Sequence, residues 1–318
     1  MAFEIITQLV YLLASLAVLA TSAKYVVESA SKLARFFGIS EMAIGFLLLS
    51  MLTSLPELSV AILSSVSGNN NLSLGDLMGS NVTNIALVIG IAATVAKGKR
   101  FDIKSVNTSL IFLLLSVVPL FFILDGLLTG VDSIMLIALY LFFVYRVLTH
   151  KVPEQTENHI SRKEAAFNFL TLLAGIGVVL ISAGFVVENA VSIAKSLGIF
   201  QSFLGATIIA LSTSMPELAV DITAARRGKW GLAIGDIFGS NVTNLTLLLG
   251  INVGLRPFEP NLIMAYPIAI FILLSSAFIG YLIWRSKGIK KSDGPMMLMI
   301  YAAYILLLSS TQITAVVG

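Results

Sequence analysis

The 318-residue chain is 57% hydrophobic and 12% charged, with a mean hydropathy of +0.96, whereas a soluble domain carries roughly 25% charged residues. This composition excludes a soluble globular domain and points to an integral membrane protein, with the lipid bilayer as its partner and no nucleic acid. Cysteine is absent, which removes disulfides, thiolate catalysis and thiolate metal sites, and the net charge of +3 says little until the charges are located.

Runs of about 20 apolar residues match the helix length needed to cross roughly 30 Å of hydrocarbon. The alternating polarity of a barrel strand is missing, so helices are the remaining way to satisfy the backbone in lipid. In chain order the expected spans are 5–27, 42–66, 74–96, 106–124, 130–149, 164–187, 203–224, 232–254, 262–284 and 295–315. The first has Glu4 and no basic residue ahead of it, and is expected to be a retained span rather than a cleaved signal. The segment Thr149 to Lys163, with Pro153, His150 and His159, is the one sizeable linker, and its histidines are expected to be solvated.

The halves on either side of this linker repeat one another. Advancing by 160 positions carries Gly45 onto Gly205, Thr53 onto Thr213, Glu57 onto Glu217 and Asp76 onto Asp236 without a gap. GDLMGSNVTN, from Gly75 to Asn84, faces GDIFGSNVTN, from Gly235 to Asn244. Residues 1–150 thus form a first five-helix repeat, 151–163 a linker and 164–318 a second repeat. Five spans per repeat is an odd number, so the second copy enters the membrane from the opposite side, an arrangement that puts a substrate site at the midplane. The basic residues agree with this count. Taken connector by connector, one side collects nearly all of them, from Lys24, Lys32 and Arg35 to Arg285, Lys287, Lys290 and Lys291. The other side holds only Lys195 and Arg256. The positive-inside pattern makes the rich side, with the linker, cytoplasmic and leaves both termini outside the cell membrane.

Within the second span lies Thr53-Ser54-Leu55-Pro56-Glu57, and within the seventh Thr213-Ser214-Met215-Pro216-Glu217. A charge at the bilayer centre costs roughly 2.5–3.5 kcal/mol on insertion scales, so each glutamate needs a partner that lipid does not supply. Pro56 and Pro216 lack the N–H that would bond the carbonyls of Leu52 and Ser212, freeing acceptors beside each carboxylate. The third and eighth spans add Asp76, Ser80, Thr83 and Asn84, and Asp236, Ser240, Thr243 and Asn244, at helical spacing. Gly75 and Gly79, like Gly235 and Gly239, are spaced to let a neighbouring helix approach closely. These segments offer only oxygen, which suits hard cations such as Ca²⁺ and Na⁺. Glu28 and Glu188 are expected to cap or pair near span ends, and Asn81-Val82-Thr83, a formal glycosylation acceptor, lies inside a span.

At these residues the chain resembles the sodium/calcium exchanger branch of the cation/Ca²⁺ exchanger superfamily. That family carries G-T-S-[LVA]-P-[ED] in one helix of each inverted repeat and G-S-N-x-x-[ND] in the next, and the resemblance covers nearly the whole chain. It implies an all-α membrane fold of about ten helices in two inverted five-helix repeats, broken at the midplane. It implies Glu57 and Glu217 as Ca²⁺ carboxylates, with Thr53 and Thr213 offering backbone oxygen. By the same resemblance Ser54, Ser214, Ser80 and Ser240 would be Na⁺-site hydroxyls, and Asn84 and Asn244 central polar groups. The usual glycine before Thr-Ser is Leu52 in one copy and Ser212 in the other, and Asn244 stands where some members have aspartate. Asp76 and Asp236, conversely, occupy a position that is often asparagine, as if carboxylates had been relocated, so they join the candidate ligands.

The expected activity is therefore not enzymatic and needs no cofactor: a secondary antiporter exchanging Ca²⁺ for Na⁺ by alternating access, a monomer being sufficient. An H⁺/Ca²⁺ antiporter of the same fold is the alternative, because buried carboxylates can carry protons. A cation channel is the alternative of another class, though channels usually gather such groups from several subunits. An organic-metabolite transporter of similar design would need a basic or aromatic cluster on the central face to hold an anion or ring, which is missing, and an intramembrane hydrolase lacks a Ser/His pair within the spans.

Overall fold

The structure, a computed structural model, describes residues 2–95, 109–111, 113–114, 116–123, 125–149, 160–196 and 210–317. Among these it is helical throughout, without a strand; one antiparallel bridge joins Leu128 and Phe258. The helices are α1 (Ala2–Phe37), α2 (Glu41–Thr53), α3 (Leu55–Val66), α4 (Asn70–Val95), α5 (Gly130–Thr149), α6 (Arg162–Ser196), α7 (Met215–Arg226), α8 (Trp230–Leu255), α9 (Leu262–Ser286) and α10 (Asp293–Val317). Helical turns also occupy much of 109–123, and 210–213 leads into α7.

Six of these helices are by themselves long and apolar enough to span a membrane, and the bent pair α2–α3 makes seven. The remaining expected spans are the partly described 109–123, the segment 210–226 broken at Ser214, and α10. Where they are described, the ten expected runs thus each fall largely on helix. Two boundaries differ from the expectation. α1 and α6 run for 36 and 35 residues, about 54 and 52 Å at 1.5 Å per residue, well beyond a bilayer's hydrocarbon. Lys24, Lys32 and Arg35, read from sequence as a connector, sit on α1 itself, because no glycine or proline interrupts the chain before Gly38. Gly38 ends the helix with φ +63°, and Ser40 then caps α2 by accepting from the Ala43 N–H at 3.1 Å.

α4 and α8 form the centre. The apolar window of α8 is 94% buried and that of α4 78%, against 17% for α1. α1 and α6 pack along one another at the periphery, with Ala23, Val26 and Ala30 against Leu172, Ile176 and Val179. Large apolar side chains such as Leu63, Phe121, Ile134, Leu170 and Trp284 point outward, as a lipid-facing surface requires. The small-residue spacing on α8 is used: a Cβ on Gly235 would strike the backbone of Met42, and one on Gly239 would lie 2.8 Å from the Phe46 Cα. α8 therefore packs directly on the backbone of α2. On α4 the expected close approach is weaker: Gly79 faces only side chains, the Ala210 Cβ and the Tyr304 hydroxyl, and Gly75 faces open space.

Charged pairs gather at one end of the bundle. Arg227 bonds Glu28, Lys229 lies 2.6 Å from Glu41, and Lys32 lies 3.9 Å from Glu164. Glu28 thus pairs near a helix end, as expected. At the opposite end Asn70 holds the carbonyls of Asn252 and Arg256, at 3.2 and 2.9 Å.

Candidate cation site

Both motif helices break at the serine of Thr-Ser-x-Pro-Glu. Ser54 sits at φ −79°, ψ 13° and Ser214 at φ −82°, ψ 5°, and neither side chain caps the helix that follows. Proline occupies the first turn of the new helix, where its missing N–H costs nothing. α2 and α3 consequently meet at a 45° bend. Glu57 and Glu217 fall in the first turn of α3 and α7, each carboxylate next to its own backbone N–H and at the positive end of a helix. Both are fully buried.

The two repeats are then laced together across the pseudo-two-fold. Thr53 Oγ1 donates to Asp236 Oδ1 at 3.2 Å, and Thr213 Oγ1 donates to Asp76 Oδ1 at 2.9 Å. Ser80 Oγ lies 3.2 Å from Thr213 Oγ1. Glu57 sits beside Thr213 and within electrostatic reach of Glu217 and Asp76; Glu217 sits beside Thr53 and within reach of Asp236 and Asp76. The Thr53 hydroxyl is also 3.1 Å from the Leu49 carbonyl and that of Thr213 3.2 Å from the Ala210 carbonyl, while both oxygens of Glu57 and both of Glu217 accept no hydrogen bond. Asp76 Oδ2, Asp236 Oδ2 and the hydroxyls of Ser54, Ser214 and Ser240 are likewise buried without a partner.

An amide clamp holds the middle. Asn81 Nδ2 donates to the Asn241 carbonyl at 3.1 Å and Asn241 Nδ2 to the Asn81 carbonyl at 3.4 Å. Asn84 Nδ2 donates to Asn241 Oδ1 and Asn244 Nδ2 to Asn81 Oδ1, each at 3.3 Å. The clamp engages the Asn84 and Asn244 amide nitrogens and leaves their Oδ1 atoms as buried free acceptors. Wide helical turns over Thr83–Val88 and Asn244–Leu248 set this register; such π-type turns are frequent at functional sites.

Buried polar groups without partners are rare in folded proteins, and those named here on the motif helices of both repeats are all oxygen. Among the described residues no three acidic or imidazole groups alone form a metal cage. A hard cation would therefore draw hydroxyl and amide oxygens together with the carboxylates. All twelve residues singled out from the sequence are buried, and hydrogen bonds across the repeats join Thr53 to Asp236, Thr213 to Asp76 and Ser80, and Asn84 and Asn244 to Asn241 and Asn81. Ser80 differs from the other three serines in having its hydroxyl engaged.

Sequence reasoning missed two things. Asn81 and Asn241 were read as part of a motif, not as the clamp. Asp221, fully buried one turn beyond Glu217, was not singled out, although a carboxylate in an apolar run four residues from another was signal enough. Glu188 is exposed near a polar groove with Gln8 and Ser192, away from these groups. His150 and His159 lie outside the described residues.

Comparison with known proteins gives a consistent result. A sequence model described as sodium/calcium exchanger protein matches residues 7–149 and 167–310, the two halves separately. The sodium/calcium exchanger MaX1 of Methanosarcina acetivorans is 28% identical, covering 93% of this chain and 97% of its own. The inner membrane protein YrbG of Escherichia coli is 32% identical over 86% of this chain and 88% of its own, and the putative antiporter CaxA of Alkalimonas amylolytica 31% over 95% and 98%. A solved structure of the sodium-calcium exchanger NCX_Mj, soaked with Na⁺ and without Ca²⁺, superposes with a TM-score of 0.80 at 26% identity, covering 96% of this chain and 99% of that one.

Proposed function

Because the chain belongs to the sodium/calcium exchanger family, we propose that it is a secondary antiporter that moves Ca²⁺ against Na⁺ through the oxygen cluster between its repeats. The observation that carries this reading is the set of four glutamate oxygens, buried and without a protein donor, supplied in mirror-related pairs by Glu57 and Glu217.

Two carboxylates neutralise one divalent ion, and the serine hydroxyls and the Asn84 and Asn244 oxygens complete its shell. Asp76 and Asp236, each with one oxygen tied to a threonine, hold the other oxygen toward the same space. Na⁺ ions occupying the same carboxylates with Ser54, Ser214, Ser80 and Ser240 displace Ca²⁺, so competition for shared ligands is the coupling. An empty site leaves like charges facing each other in a low dielectric, which disfavours changing sides unloaded. That penalty turns a carrier into an exchanger. Alternating access follows from one group of helices moving against the other around the fixed site.

In this reading residues 1–150 and 164–318 are the two repeats and 151–163 a cytoplasmic linker. The basic end of the bundle faces the cytoplasm and both termini lie outside the cell membrane. One chain suffices for transport, and no cofactor takes part.

Five buried carboxylates without a basic neighbour favour a second reading, in which H⁺ replaces Na⁺ as the coupling ion. Proteoliposomes separate the two. Ca²⁺ uptake driven by a Na⁺ gradient at equal pH supports Na⁺ coupling; uptake driven only by a pH gradient in Na⁺-free buffer supports H⁺. Unaltered uptake by Glu57→Gln would overturn the site itself.

A further inference from the structure

The charged side chains at the basic end of the bundle enclose a pocket of about 320 Å³ against α1. Its walls are Glu28, Ser31, Lys32 and Arg35 of α1, and Arg227 and Lys229 of the turn between α7 and α8. Three of the four cations have a carboxylate: Arg227 pairs with Glu28, Lys229 with Glu41 and Lys32 with Glu164. The fourth does not. Among the described residues no carboxylate pairs with Arg35, and its Nε is buried without a hydrogen-bond partner. The pocket therefore holds a positive charge in excess and a buried donor with nothing to donate to, and a single negative charge would satisfy both.

Farther along the same helix a groove of about 460 Å³ opens between Ala17, Thr21 and Tyr25 of α1 and Ala174, Gly175 and Val178 of α6. The hydroxyls of Thr21 and Ser22 are spent on their own helix, 2.7 Å from the Ala17 carbonyl and 2.9 Å from that of Val18, so the groove offers only apolar contact. Val18, Tyr25 and Val178 on its rim are exposed. Thr21, Tyr25, Glu28 and Lys32 follow at spacings of four, three and four, which puts groove and pocket on one stripe of α1. Tyr25 and Lys32 are separated by about 10 Å along the axis. With 36 residues, α1 is long enough to carry Lys32 and Arg35 past the hydrocarbon. An apolar slot that leads to an anion pocket at headgroup level has the outline of a phospholipid. The groove at the other end of the same two helices, with Gln8, Glu188 and Ser192, has no basic residue in its wall, and Ser192 stands where the first repeat has Lys32.

We infer that α1 carries a binding site for one anionic phospholipid of the leaflet on the basic side, its phosphodiester held by Arg35 and Lys32 and an acyl chain laid in the α1–α6 groove. Basic pockets between membrane helices take anionic headgroups. Arg35 supplies the planar fork that matches phosphate oxygens, and Lys32, 3.9 Å from an exposed Glu164, supplies a point charge free to turn toward them. A headgroup with an ammonium of its own would need a spare carboxylate, and Glu28 and Glu41 are already paired. A headgroup uncharged beyond its phosphate is the one that fits. Arg227 and Lys229 share the pocket, so the bound lipid fastens α1 to the turn that ends α7, the helix that carries Glu217.

The test titrates the full chain in detergent with phosphatidylglycerol or phosphatidylcholine of the same acyl chains, reading bound lipid by native mass spectrometry and thermal unfolding alongside. Wild-type protein is expected to hold one phosphatidylglycerol about tenfold more tightly than phosphatidylcholine, equivalent to about 1.4 kcal/mol. Arg35→Gln should abolish that preference and Arg35→Lys keep part of it, so the pair stays informative if the glutamine variant unfolds. Val178→Phe, which fills the groove, should weaken both lipids alike, and Lys291→Gln, an exposed cation outside the pocket, should change neither. Equal affinity of wild-type protein for the two lipids overturns the site, as does an undiminished preference in Arg35→Gln. Inorganic phosphate that stabilises the protein as strongly as phosphatidylglycerol overturns it too, in favour of a free-anion pocket.

Discussion

The helices α3 and α7 are copies with matching starts and different faces. Each follows a serine at nearly the same φ and ψ, carries proline and glutamate in its first turn, and closes on a left-handed glycine, Gly68 or Gly228. One turn beyond the glutamate they part: Ala61 on α3, Asp221 on α7. Farther on, α3 carries Ser64 and Ser65 where α7 has Ala224 and Ala225. What the copies share is what a site on the two-fold axis needs, two equivalent carboxylates at two helix starts. Where they differ, the molecule is no longer symmetric between its repeats.

The largest expected effect tests the shared part. Glu57→Gln and Glu217→Gln should each weaken Ca²⁺ binding by roughly 10²–10⁴-fold, the scale of breaking a buried charge pair at about 3–5 kcal/mol. Direct Ca²⁺ titration would show it, and a loss in only one variant would break the equivalence. Next come the threonines. Thr53→Val and Thr213→Val remove bonds to aspartates worth about 1.5–3 kcal/mol each, so Ca²⁺ transport should fall by about ten- to a hundredfold in both.

Packing gives a further contrast. Gly235→Ala drives a Cβ into the Met42 backbone, whereas Gly79→Ala meets the Ala210 Cβ at 3.1 Å and the Tyr304 hydroxyl at 3.2 Å. The first should destabilise by about 1–3 kcal/mol, and the second by less, because a hydroxyl tip yields and backbone does not. Thermal unfolding in detergent would rank them. The smallest effect belongs to the exposed end: Glu28→Gln, which breaks the pair with Arg227, should change stability by less than about 1 kcal/mol. A large loss there would move that pair from a solvated surface into the working parts.

Much of this was readable before any fold was known. A proline and a glutamate within an apolar run are local facts, and their recurrence 160 positions on marks both repeats and both helix breaks. The lengths of α1 and α6 were misjudged because polar residues such as Lys24 and Lys32 resemble a connector in a hydropathy profile, while the backbone there has no reason to leave the helix. Asp221 escaped notice because the search followed residues that recur, and it has no copy.

By itself, then, the sequence determined the membrane class, the duplication, the broken helices and which acids lie in lipid-length runs, since all of these depend on neighbours along the chain. Only the tertiary structure decided that Thr53, besides the carbonyl of its own helix, also reaches Asp236, 183 residues away, and that Thr213 reaches Asp76, 137 residues away. It likewise decided that Asn81 and Asn241 clamp each other. The physical reason is packing. Glycines on α8 let it settle on the backbone of α2, and that contact chooses which oxygens of one repeat meet those of the other.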